Sequence, residues 1–183
     1  MEPVTTKRST WQFTIDAMLA ALCVVLGFAS IRIGNVIKIS FEDLPVMFAA
    51  LMFGPVDGAL VAFTGIFLYQ LLSFGITLTT PLWVLPFVVC GVVIGLIAKR
   101  SNYNNTPKQI LLLFVIATIL VLALNTIAIY ADSKLYGYYY PTIITGVIGV
   151  RIVIALVKGV ALGIVVPPVL KALSKVTGNG RMT

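Results

Sequence analysis

Runs of apolar residues long enough to cross a bilayer alternate with short polar breaks along almost the whole chain. Residues 13–31, 59–74, 82–98, 109–130 and 141–170 each read as a membrane helix, and 44–53 as a shorter one. At the rise of a helix the short run covers only about 15 Å, so it spans only among other helices or with turns borrowed from the connector before it. That connector, 32–43, is polar and β-leaning, with Asn35, Lys38, Ser40 and Glu42. Gly54-Pro55-Val56-Asp57-Gly58 reads as a tight turn, and 75–81 as a second loop carrying Thr77, Thr79 and Thr80. Pro86 predicts a kink in the fourth helix. Residues 99–108 form a hydrophilic break, 131–140 a tyrosine-rich loop, and Pro167-Pro168 marks the expected end of the sixth helix.

Composition supports this pattern. The chain has 183 residues, 60% hydrophobic and 10% charged, with a mean hydropathy of +1.07. These values place it among multi-pass helical membrane proteins, with no room for a sizeable soluble domain. The expected fold class is an all-α membrane protein of six transmembrane helices. Residues 13–173 would form one membrane domain, with a cytoplasmic segment 1–12 and a cytoplasmic tail 174–183. The first run lacks a convincing cleavage site and is read as the first span.

A net charge of +7 does not signal nucleic-acid binding, because the cations sit at the ends of apolar runs. With six spans, Lys7, Arg8, Lys99, Arg100, Lys108, Lys171, Lys175 and Arg181 share the side of the termini. Only Arg32, Lys38 and Lys134 fall on the other side, which orients both termini to the cytoplasm of a prokaryotic cell membrane. There is no histidine, and Cys23 and Cys90 lie inside apolar runs as packing residues. No phosphate loop, metal spacing or Ser/His pair occurs, so no enzyme, cofactor or metal site is expected.

The candidate chemistry centres on the last apolar run. Arg151 and Lys158, seven residues apart, share one helix face about 10 Å apart along the axis. A cation at bilayer depth costs roughly 2.5–3.5 kcal/mol, so both must face protein or a wet cavity. A structural reading stands beside this one: Lys158 snorkels to a surface or pairs with an acid on a neighbouring helix, Asp16 being one choice. Gln70, Asn125 and Arg151 fall in the outer half of their spans or near the midplane, below loops rich in hydroxyls. Trp83 and the tyrosines would sit at the mouth, although an interfacial aromatic belt explains Trp83 equally well. The expected pocket opens outward and uses Arg151, Asn125, Trp83, Gln70, Tyr139, Thr80 and Asn35. Its aromatic walls and deep cation suit a small carboxylate, which arginine grips bidentately.

Ala17-x-x-x-Ala21 in the first helix, a long first outside loop, and Leu44-Pro45 followed by Phe53-Gly54-Pro55-x-x-Gly58 together resemble the substrate-binding (S) components of energy-coupling factor (ECF) vitamin transporters. The resemblance covers nearly the whole chain. It implies that Ala17 and Ala21 dock onto a transmembrane coupling subunit carrying two cytosolic ATPases. It also implies that the first outside loop, with Arg32, Lys38 and Glu42, gates a vitamin site, and that the subunit topples to release its cargo. Folate importers of the family carry a Pro-Gly-Phe-Thr-Leu-Ser type segment before the fourth helix, where this chain has Ile76-Thr77-Leu78-Thr79-Thr80-Pro81. That departure places pantothenate slightly ahead of folate. Two rivals remain at this point: a stand-alone anion channel or facilitator filtering through the sixth-helix cations, and a non-transporting assembly protein.

Overall fold

In the computed structural model, which describes residues 10–33, 37–103 and 106–176, the first helix α1 (Thr10–Phe28) turns Asp16, Ala20, Cys23 and Gly27 inward. That spacing of three to four residues is one helical face; Ala17 and Ala21 lie on the exposed one. The connector folds as a hairpin, β1 (Ile31–Ile33) antiparallel to β2 (Ile37–Ile39), with Arg32 opposite Lys38. The short helix α2 (Asp43–Met52) is buried from Pro45 to Leu51. A helix too short to span alone is stable there because the longer α1 and the two long helices that follow pack against it.

Helices α3 (Pro55–Phe74) and α4 (Thr80–Arg100) follow, then α5 (Pro107–Leu135), a single turn α6 (Thr142–Thr145), and α7 (Ile148–Val176). Five of these helices, α1, α3, α4, α5 and α7 through Lys171, are long and apolar enough to cross a membrane. With α2 they make the six expected helices. Their outer faces carry large apolar side chains such as Phe13, Leu72 and Val157, each more than half exposed, as lipid-facing surfaces require.

Glycines set the closest crossings. A Cβ on Gly91 would lie 2.7 Å from the Gly58 backbone, and one on Gly95 2.4 Å from Pro55. The Gly91-x-x-x-Gly95 face therefore seats the start of α3 against α4, backbone to backbone. In the same way Gly159 abuts Thr118 and Val115, while Gly163 abuts Leu111. As α7 advances its partners on α5 recede, so the two helices are antiparallel.

Several boundaries differ from the sequence reading, the run expected from 141 being split into α6 and an α7 that begins at Ile148. The predicted turn at 54–58 is the start of α3: Gly54, at φ +112°, precedes Pro55 at the first helical position, where proline loses no hydrogen bond. Helix α5 continues through what was expected to be loop, because Ala128, Ile129, Asp132 and Ser133 form a buried face that extends the helix to Leu135. Helix α7 runs through Pro167-Pro168 to Val176. Val166 and Leu170, one turn apart and both buried, hold that stretch against the core despite the lost donors.

Candidate functional site

The hairpin, the 75–79 loop and the α5–α6 connection gather at one end of the helices around a cavity of about 550 Å³. This is the size range of small-molecule sites. The first connector contributes Lys38, Ser40 and Glu42; α3 contributes Tyr69 and Gln70; the α3–α4 region contributes Thr77, Thr79 and Trp83. One face of α5 supplies Thr118, Asn125 and Asp132, with Tyr136 just beyond, and α7 supplies Arg151, Ile154 and Lys158. A larger groove of about 740 Å³ between α3 and α4 is lined by Phe63, Phe67, Leu78, Thr80 and Val88. It lacks charged groups and lies among lipid-facing residues, so the smaller cavity is the one with chemistry to offer.

Most charges on the cavity wall neutralise each other. Lys38 Nζ donates to both oxygens of Glu42 at 2.9 Å, and Ser40 Oγ donates to the same carboxylate at 3.1 Å. The ammonium also lies 4.1 Å above the centre of the Tyr69 ring, a favourable place for a cation. Lys158 reaches across to α2: its Nζ lies 2.9 Å from Asp43 Oδ2 and donates to the Ser40 carbonyl at 3.0 Å. The acid that meets Lys158 is thus Asp43, not Asp16.

Arg151 differs. Among the described residues it forms no ion pair, and its buried Nη1 has no hydrogen-bond partner. The Asn125 side-chain oxygen is likewise buried and unpartnered. Gly159 sits beside Thr118 on antiparallel helices, so Arg151, roughly two turns earlier on α7, lies at the level of Asn125, two turns later on α5. A guanidinium N–H and an amide oxygen with their hydrogen-bonding capacity unspent thus face one cavity at one depth. Unsatisfied buried polar groups of this kind cost about 1–3 kcal/mol each, a cost that a ligand able to bond both would relieve.

Of the sequence-predicted residues, the cavity brings together Arg151, Asn125, Trp83 and Gln70, along with the gating-loop residues Lys38 and Glu42. Thr80 lies on the lateral groove instead, and its hydroxyl accepts the Thr77 N–H at 2.9 Å as part of a threonine cluster. Tyr139 stands off the cavity wall, stacked edge-on to Tyr130, with Lys134 4.5 Å over its ring. Asn35 lies outside the described residues, as does the Arg32 side chain.

Asp132 and Tyr69 were missed, whereas Tyr136, one of the tyrosines expected at the mouth, does line the cavity. Asp132 is two residues beyond the expected end of the fifth span. Its spacing of seven from Asn125 matches that of Lys158 from Arg151, a signal that only the correct helix end makes visible. Its carboxylate accepts the Tyr138 hydroxyl. Burial, followed by that bond and the Asp132 charge, pushes the Tyr138 phenol up to about 12, so it remains a donor at any physiological pH.

Residues 12–170 match the family model for the ECF transporter, substrate-specific component. The solved structure of the S component of a bacterial ECF transporter is 25% identical over 93% of this chain and 99% of that one, with a TM-score of 0.64. The S component for biotin from an ECF-type ABC transporter is 16% identical over 88% of this chain and 93% of that one, with a TM-score of 0.60; this is a likeness of fold. No curated protein matches the chain. The chain belongs to the substrate-specific components of ECF transporters: it is a multi-pass membrane protein and a binding subunit rather than an enzyme.

Proposed function

We propose that this S component captures a small carboxylate vitamin from outside the cell, pantothenate ahead of folate. It then hands the vitamin to a transmembrane coupling subunit driven by two cytosolic ATPases. The observation that carries the substrate class is the unspent Nη1 of Arg151 beside the unspent oxygen of Asn125. A carboxylate accepts from the first, and an amide or hydroxyl donor of the same ligand satisfies the second. The cavity of about 550 Å³ accommodates one such molecule. Ala17 and Ala21 lie exposed on α1 and serve as the docking face for the coupling subunit. The hairpin with Lys38, Glu42 and Arg32 serves as the gate.

The channel alternative requires two free cations along α7. Lys158 is held by Asp43 and is not one of them. In the deciding experiment the purified chain is titrated with pantothenate, folate and biotin by calorimetry and then reconstituted in liposomes. Tight one-to-one binding of a single carboxylate vitamin is expected, with no flux until coupling subunit and ATPases are added. Flux through the chain alone, or binding of none of the three, defeats the reading.

A further inference from the structure

With Lys38 paired to Glu42 and Lys158 paired to Asp43, two charges on the cavity wall have no oppositely charged partner among the described residues: Arg151 and Asp132. They differ in depth. Asn125, level with Arg151, and Asp132 are seven residues apart on the same face of α5, about 10 Å along the axis. Asp132 therefore stands nearer the loop end of the cavity, roughly two turns beyond the guanidinium.

A bland role for Asp132 would be to tie down the following loop by accepting the Tyr138 hydroxyl. That bond occupies Oδ2 only, and a carboxylate has about four acceptor sites. Among the described residues no group bonds Oδ1. The cation nearest in sequence, Lys134, is turned against the Tyr139 and Tyr130 rings, 4.5 and 5.9 Å from their centres. Asp132 is thus held by one donor, paired with no cation among the described residues, and set on the cavity wall beside Tyr136.

We infer that Asp132 is a specificity-determining residue, selecting ligands that carry a hydrogen-bond donor about two helical turns from the carboxylate held by Arg151. The inference rests on the carboxylate reading above and deepens it. A ligand with a carboxylate at one end and hydroxyls at the other satisfies both poles. A fatty or purely aromatic carboxylate leaves the Asp132 charge desolvated and unpaired, which is penalised.

The test compares pantothenate with its dideoxy analogue, which keeps carboxylate and amide but lacks both hydroxyls, on the full chain by calorimetry. Wild type is expected to prefer pantothenate by roughly tenfold to a hundredfold, the usual range for a hydrogen bond to a charged group. Asp132→Asn, which retains an acceptor for Tyr138, should collapse that ratio to within about twofold, weakening pantothenate and binding the analogue at least as well as wild type does, since no desolvated charge is left to penalise it. Arg151→Ala should weaken both probes alike. Equal binding of the two probes by wild type overturns the inference without any variant, as does an Asp132→Asn chain that loses both equally or neither. If wild type binds neither probe, nor folate, the carboxylate reading falls and this inference falls with it.

Discussion

Arg151 and Lys158 look alike in the sequence, two cations on one face of one apolar helix, yet the fold gives them opposite fates. Lys158 is neutralised by Asp43, 115 residues away in the chain, and no periodicity along α7 reveals that partner. Arg151 has none among the described residues, so Arg151→Ala is expected to cost ligand affinity on the order of 2–3 kcal/mol while the protein still inserts and melts normally. Unchanged affinity in a calorimetric titration would remove Arg151 from the site. Lys158→Met should behave in the reverse sense. It strands a carboxylate whose side chain is 1% exposed, and losing one partner of a buried pair costs about 3–5 kcal/mol. Thermal unfolding in detergent should show that loss, and adding Asp43→Asn should recover much of it. A double variant no more stable than Lys158→Met would mean the pair contributes no coupling.

At the scale of elements, hydrophobic runs located every span, because lipid demands an unbroken apolar stretch. The ends were less legible, since helix termini are decided by tertiary burial. Ser133 and Asp132 are polar in sequence but buried in place, and that burial carried α5 into the expected loop and hid an acid of the cavity wall. The small-residue motifs divide in a way that sequence could not divide them. Gly91 and Gly95 meet the backbone of α3, whereas Ala17 and Ala21 face outward. Gly95→Ala should therefore destabilise the fold by about 1–3 kcal/mol or more, since the obstacle at 2.4 Å is backbone that cannot swing aside. A lowered melting temperature checks this. Ala17→Trp, by contrast, should leave melting and vitamin binding intact and abolish uptake in a reconstituted complex. Loss of binding in that variant would place the alanine face inside the subunit's own core.

For the whole molecule the question is which side of the membrane the cavity serves. The hairpin, the 75–79 loop and the α5–α6 connection share the cavity end, while the α2–α3 and α4–α5 connections lie at the other. The excess of Lys and Arg at that other end, with Lys99 and Arg100 closing α4 and Lys108 opening α5, is the bias expected of a cytoplasmic side. On the proposed reading the cavity then receives solute from outside. The chain is well suited to a direct test, because both native thiols, Cys23 and Cys90, are buried and give little labelling background. Ile76, 76% exposed at the cavity end, and Asn102, exposed in the opposite loop, are suitable positions for single cysteines. Ile76→Cys should react with a membrane-impermeant maleimide in intact cells, and Asn102→Cys only after the membrane is opened. The reverse pattern would leave Arg151 facing the cytosol, where it would meet the vitamin after transport rather than before it, and import by this site would be untenable.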